Sequence, residues 1–441
     1  MILLSLLLLA PGLVQEPSSD AGRLAELRVA LAEAVDLLDP AARGKAATTL
    51  ARRKDVSLED WLAAAASFTP APGAPDGVGA HSVSVELPVL EQTEATTLHF
   101  YVPASRDLAR PAPLMFALHG AGGNGSQMLS EWQATAEALG MIVCAPTDPQ
   151  ADGGYAFTPR ERAAALAALR WARRHYDVDE NRIHLSGSSR GGHLAWDLAV
   201  RYPDLWASVS PRIGGPTFVV SGGRNNLRYV ENVAHLPLRD LQGSDDDPKL
   251  LINLRLAFER LRAVGAADAQ LIEQAGIGHG YRHDEVDWAA FLGSAVRAPF
   301  PTRIRLRAAW ELPARAAWME ITRYRKEVKE TFEVRVDGAQ WDAWDHEQRV
   351  RHMLQLADAC TASVRIERDA EGKIRLSGEG VGVVRLLLPA EFAPPTGRVS
   401  VTLEDKEKKL VLRRSTGVML ADFVERFDRS FLPVADVEIR L

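Results

Sequence analysis

Between about residues 80 and 298, short runs of apolar and β-branched residues alternate with longer amphipathic stretches, the pattern of strands joined by crossover helices. Val83–Leu87 and Thr96–Tyr101 predict a leading antiparallel pair, and Leu114–Leu118 an apolar strand entering a glycine loop. A helix is expected near Gln127–Ala138, a strand at Met141–Ala145, a helix at Arg160–His175 and a strand at Ile183–Ser186. A helical run follows from Gly192 to Tyr202. Strands near 207, 238 and 270 complete the expected order. The strands between helices are nearly all apolar, as a parallel sheet covered on both faces requires. The fold class is therefore α/β, a mostly parallel, doubly wound sheet.

The flanking segments have other periods. From Ala21 to Ala66, Leu24, Leu27, Leu31 and Val35 recur at helical spacing and predict a helical prologue. The stretch Pro70–Gly77 breaks regular structure and reads as a linker. After Pro299-Phe300-Pro301, short alternating runs at Arg303–Arg307, Phe332–Val336, Ser363–Ile366, Val383–Leu388 and Val399–Leu403 predict strands, with helices near 345–357 and 418–427. The expected division is a leader over 1–20, the prologue and linker over 21–78, an α/β domain over 79–298 and a β-rich α+β C-terminal domain over 299–441.

Composition narrows the function. The chain of 441 residues is 46% hydrophobic and 25% charged, ordinary for a protein with a sizeable core. Its 58 acidic and 52 basic residues give a net charge of −6, so no broad positive field draws nucleic acid, and none is expected as a partner. The apolar run Met1–Leu9 is far short of the roughly 20 residues that span a bilayer. It reads as the core of a signal peptide, followed by small residues at Ala10-Pro11-Gly12. No cysteine follows to carry a lipid, so a secreted or periplasmic protein without a stable membrane anchor is expected. The two cysteines, Cys144 and Cys360, cannot build a disulfide framework and are expected as thiols.

Four features carry chemistry. Gly187-Ser188-Ser189-Arg190-Gly191 lies between a strand and a helix, where a sharp turn leaves no room for side chains two residues on either side of a nucleophile. Ser189 is the candidate nucleophile. His119-Gly120-Ala121-Gly122-Gly123 ends the strand Leu114–Leu118. A glycine loop brings backbone N–H groups close to a developing oxyanion. The candidate donors are the N–H groups of Arg190 and Ala121, with Gly122 as the alternative to Ala121. The loop lacks the Lys-Ser/Thr ending of a phosphate loop. Asp245, Asp246 and Asp247 occupy a turn after the strand near 238, and Asp246 fits best by register as the group that orients a histidine. The spacing is not that of a calcium loop. His279 is flanked by Gly278 and Gly280 after the strand near 270, with His283 as its rival; His184 and His193 read as structural. All four features end by Gly280, so the C-terminal domain is expected to position substrate or support the fold and to take no part in the chemical step.

The chain order Ser189, Asp246, His279 is that of an α/β-hydrolase triad. Residues 80–298 resemble the catalytic domain of esterase-type α/β-hydrolases, the dienelactone-hydrolase-like, feruloyl-esterase-like and polyhydroxybutyrate-depolymerase-like enzymes, and more distantly prolyl oligopeptidases. His119–Gly123, Gly187–His193, Gly243–Asp246 and Gly278-His279 carry the likeness. The valine-proline that often follows the triad aspartate is replaced by Asp247-Pro248-Lys249. The resemblance implies an α/β-hydrolase fold and a serine carboxylic-ester hydrolase that uses no cofactor and no metal, with a small-molecule or polymer-linked ester as substrate. Two other readings stand beside it. One is a serine peptidase of the prolyl oligopeptidase type. The other is an inert scaffold or glycan-binding protein, for which Trp310, Trp318, Trp341 and Trp344 would supply a stacking surface.

Overall fold

The computed structural model describes residues 19–71, 77–148, 158–218, 225–309, 314–392, 397–403 and 406–441. Residues 1–18 of the expected leader and 72–76 of the linker lie outside them, and the last two leader positions, Ser19 and Asp20, belong to the first helix. The prologue forms α1 (Ser19–Val35), α2 (Pro40–Ala51) and α3 (Leu58–Ala66). Asp39 and Ser57 cap α2 and α3, accepting from the first free backbone N–H groups.

The central sheet follows the sequence pattern. Its strands are β1 (Gly79–Val89), β2 (Gln92–Val102), β3 (Ala112–Leu118), β4 (Ile142–Pro146), β5 (Val178–Ser188), β6 (Ser208–Arg212), β7 (Leu238–Gly243) and β8 (Ala269–Gln274). Between them lie α4 (Ser126–Leu139), α5 (Pro159–His175), α6 (Arg190–Arg201) and α7 (Pro248–Ala263), and α8 (Trp288–Ser294) follows β8. The spatial order is β1-β2-β4-β3-β5-β6-β7-β8. β1 and β2 pair antiparallel, as does β2 with β4; every pair from β4 to β8 is parallel. β3 to β6 are buried almost throughout because helices cover both faces. The strand ends after β3, β5, β7 and β8 therefore open on one edge, where a doubly wound sheet places its site.

The C-terminal segment contains β9 (Arg303–Ala308), β10 (Arg315–Ala316), β11 (Met319–Tyr324), α9 (Gly338–Ala343), α10 (His346–Ala359), β12 (Ala362–Arg368) and β13 (Ile374–Glu379). It continues with β14 (Val381–Leu388), β15 (Arg398–Leu403), β16 (Lys406–Val411), α11 (Thr416–Arg426) and β17 (Ala435–Arg440). The strands form two sheets, β10-β11-β14-β17 and β16-β15-β13-β12-β9. The strand expected at Phe332–Val336 is absent. Phe332, Val334 and Val336 alternate half-buried with exposed Glu333 and Arg335, yet no neighbouring strand among the described residues supplies a hydrogen-bond ladder.

Two packing relations tie the regions together. One apolar core runs from the central sheet through Leu254 and Leu261 of α7 to Leu306, Val364 and Leu386 of the tail. A second joins Leu27, Leu31 and Trp61 of the prologue to Leu420 and Phe423 of α11, so the two ends of the chain share a core. Among the described residues no helix is long and apolar enough to cross a membrane.

Candidate active site

β5 delivers Ser189 to the N-terminus of α6 with φ 54° and ψ −115°, a conformation that L side chains rarely adopt. A Cβ on Gly187 would sit 2.1 Å from the Gly191 carbonyl oxygen, and one on Gly191 would sit 2.2 Å from that of Leu118. Both positions must be glycine. The turn is over-determined by its neighbours: the Ser189 N–H donates to Arg212 O at 2.9 Å, and the His193 N–H donates to Ser189 O at 3.0 Å.

The loops after β7 and β8 are stitched together by Asp245 N–H to Ile277 O at 2.9 Å and Gly276 N–H to Ser244 Oγ at 2.9 Å. This places His279 Nε2 2.8 Å from Ser189 Oγ and His279 Nδ1 2.9 Å from Asp246 Oδ2. The three side chains named from the sequence are thus in one hydrogen-bonded line. The Asp246 side chain is largely buried, while the imidazole is half exposed. Burial alone would raise the Asp246 pKa. The Asp247 N–H at 2.7 Å, the imidazole and the Gln242 amide at 2.5 Å outweigh it and hold the carboxyl below its ordinary value.

The neighbouring carboxylates do other things. Asp245 is exposed and accepts from Ser244 Oγ at 2.8 Å, and Asp247 caps α7, accepting from the Lys249 N–H at 2.9 Å. Asp240 is wholly buried and accepts from Trp196 Nε1 at 2.7 Å; burial drives its pKa well upward.

The other histidines point elsewhere. His283 packs against both Trp132 and Trp288, with Nδ1 3.4 Å from Arg212 Nη1; burial and the guanidinium lower its pKa to about 4. His184 pairs with Ser208 Oγ at 2.9 Å and His193 with Gly215 O at 2.6 Å.

Ala121 stands in the exposed turn after β3, where the Gly123 N–H closes on Gly120 O at 3.2 Å and Gly120 abuts Ser188 and Ser189. His119 braces this turn. Its Nε2 accepts from the Asp148 N–H at 3.1 Å, so the ring proton lies on Nδ1, which donates to Gly120 O at 2.7 Å. Arg190 is the first residue of α6, whose N-terminal dipole is directed at the space over Ser189. No group of three or more His, Cys, Asp or Glu side chains among the described residues could hold a metal ion.

Sequence reasoning missed a cluster beneath the site. Arg212, wholly buried at the end of β6, reaches Glu131 Oε2 at 2.9 Å and lies 5.1 Å from the ring centroids of both Trp132 and Tyr281. The Tyr281 hydroxyl donates to Glu131, and its side chain also bonds Ser188. Tyr281 thereby links the histidine loop, α4 and the turn of the nucleophile. No spacing rule joins residues 131, 188, 212 and 281, so no sequence signal pointed to the cluster.

No family model matches this sequence. A protein of Nocardia uniformis subsp. tsuyamanensis assigned as an esterase (NocK) is 28% identical over 253 residues, 47% of this chain and 71% of that protein. A bifunctional acetylxylan esterase/xylanase of Neocallimastix patriciarum is 24% identical over 165 residues, 36% of this chain and 22% of its own length. Among solved structures, acetyl xylan esterase from Aspergillus awamori superposes with a TM-score of 0.39 at 16% identity, covering 48% of this chain and 99% of that one.

Proposed function

We propose that this chain, an α/β-hydrolase of the esterase type, cleaves carboxylic esters through Ser189, His279 and Asp246. The observation that carries the reading is the hydrogen-bonded line from Ser189 Oγ through the imidazole to Asp246, at 2.8 and 2.9 Å. Ser189 Oγ attacks the ester carbonyl carbon while His279 Nε2 takes its proton. Negative charge collects on the former carbonyl oxygen, and the N–H groups of Arg190 and Ala121 are the donors we assign to it. Collapse of the intermediate breaks the bond to the alcohol, which leaves with the proton from His279. Water then repeats the sequence, releases the acid and restores Ser189. Asp246, held ionised by its three donors, fixes the imidazole tautomer and stabilises the imidazolium.

This chemistry calls for no cofactor. The substrate is a small-molecule or polymer-linked ester, and the likeness to the Neocallimastix acetylxylan esterase/xylanase makes acetylated glycans the first class to try. The apolar run Met1–Leu9 supports export to the periplasm or medium. The deciding experiment pairs fluorophosphonate labelling with turnover of 4-nitrophenyl acetate. Label should map to Ser189, and Ser189→Ala should lose on the order of 10⁴-fold in kcat with its fold intact. Retained labelling in that variant would refute the assignment.

A further inference from the structure

The tail reaches the catalytic edge of the sheet from two sides. Phe332 packs against Phe218, which follows the Gly214–Gly215 turn beside the nucleophile, with ring centroids 6.1 Å apart. The second approach is through α10, which is bound to α7 by Arg351–Glu259 at 2.6 Å and Asp358–Arg260 at 2.9 Å. Its first residue, His346, lies near enough to Asp247 and Lys249 for both charges to act on its imidazole. Asp247 adjoins Asp246 in the chain. The N-terminal end of α10 thus stands at the rim of the turn that holds the orienting carboxylate.

The short helix α9 and the residue that ends it, just before α10, carry a pair of tryptophans at this rim. Trp341 and Trp344 are half-buried, with ring centroids 6.1 Å apart and planes inclined at 58°. Arg349 lies 5.3 Å from the centroid of Trp341, and its Nε donates to Trp341 O at 3.0 Å; His352 lies 5.0 Å from Trp344. Neither indole N–H donates to a protein acceptor among the described residues. The other tryptophan of the tail that the structure describes behaves oppositely: Trp318 is wholly buried and its Nε1 donates to Pro301 O at 2.8 Å. Trp310 lies outside the described residues. Burying an indole in the core needs no further explanation, but leaving two only half-buried side by side, with no protein acceptor for their N–H groups among the described residues, leaves ring surface and donors available.

We propose that Trp341 and Trp344 form a subsite that stacks a neutral sugar ring of the ester substrate beside the Ser189 centre. A pyranose has an apolar C–H face that lies on an indole and a rim of hydroxyls that accept from indole N–H groups and the Arg349 fork. The exposed carboxylates around the pair outnumber the cations Arg349 and Lys249, which favours a neutral ring over an anionic one. Asp337, Asp342 and Asp345 are all exposed around the pair, and the catalytic turn adds Asp245 and Asp247. The inference rests on the esterase reading for its function, but the binding itself is independent of catalysis.

Titration calorimetry of the full chain with unsubstituted cellohexaose, xylohexaose and mannohexaose tests the binding. At least one should bind saturably, and Trp341→Ala with Trp344→Ala should weaken it about tenfold or more. Phe at both positions should restore part of the affinity, which a merely structural loss would not allow. In kinetics, the Ala pair should raise KM for acetylated cellohexaose while kcat, and all constants for 4-nitrophenyl acetate, stay unchanged. Absence of binding to all three hexaoses, or equal binding by the parent and the Ala pair, would overturn the subsite. So would a KM change confined to methyl ferulate, which would make the pair an aromatic acyl site. Loss of 4-nitrophenyl acetate turnover in the parent would count against the catalytic reading alone.

Discussion

Arg228 Nε donates to the hydroxyl of Thr361 at 2.8 Å, joining residues 133 apart in sequence. The guanidinium is wholly buried, and its remaining N–H groups go to the carbonyls of Glu330 at 3.0 Å, Ala357 at 3.2 Å and Lys329 at 3.3 Å. Four residues on, Asn232 pairs with the Arg307 backbone through a 2.9 Å and a 2.6 Å bond. Two polar side chains of the segment Asn226–Val233, which follows β6, are therefore anchored in the tail.

A chain cut near residue 300 is expected to lose its cooperative unfolding transition, because the cut exposes the apolar core that the central sheet shares with the tail and removes the partners of Arg228 and Asn232. Arg228→Ala in the full chain should destabilise by about 3 kcal/mol, measured by denaturant unfolding. A truncated chain with the stability of the whole would show that these bonds contribute little.

The histidines divide by contact. His279→Ala should abolish turnover of 4-nitrophenyl acetate, whereas His283→Asn should keep most of it, since His283 faces Arg212 and not Ser189. The opposite ranking, read from steady-state kcat, would move the general base to His283.

The three aspartates of the turn should separate just as cleanly. Asp246→Asn removes the charge that orients the imidazole and should lower kcat by about 10³-fold or more. Asp247→Asn should leave kcat nearly unchanged and cost no more than about 1 kcal/mol of stability, because asparagine also caps helices. Equal, mild losses in kcat for Asp245→Asn, Asp246→Asn and Asp247→Asn would disprove this division of labour.

Acid stability should depend on His184. Burial first, and Arg182 second, lower its pKa to about 3 in the folded protein, against about 6.5 in an unfolded chain. The unfolded state therefore takes up the proton first, and stability falls as pH drops below about 6.5, by up to about 1.4 kcal/mol per pH unit, until about pH 3. His184→Gln should flatten that part of the profile in urea unfolding measured from pH 7 to pH 4. An unchanged slope would assign the acid sensitivity to other groups.

The order of strands and helices, and the residues at their ends, was legible in the sequence because periodicity is a local property. Leu114–Leu118 is apolar because both sheet faces are covered, and Gly187 and Gly191 are glycines because backbone oxygens stand 2.1 and 2.2 Å from where a Cβ would be. Phe332–Val336 shows the limit of that logic, since alternation records which side chains are half-buried but cannot supply a partner strand. β16 shows the converse: Lys406-Glu-Lys-Lys is exposed on a sheet edge, so it pairs with β15 without any apolar alternation to announce it. What only the tertiary structure decided are relations between residues far apart in the chain. Among Asp245, Asp246 and Asp247, backbone direction in one turn selected the carboxylate that meets His279. The buried pairing of Arg212 with Glu131 and the docking of the prologue on α11 depend on how elements pack, and no local spacing encodes that.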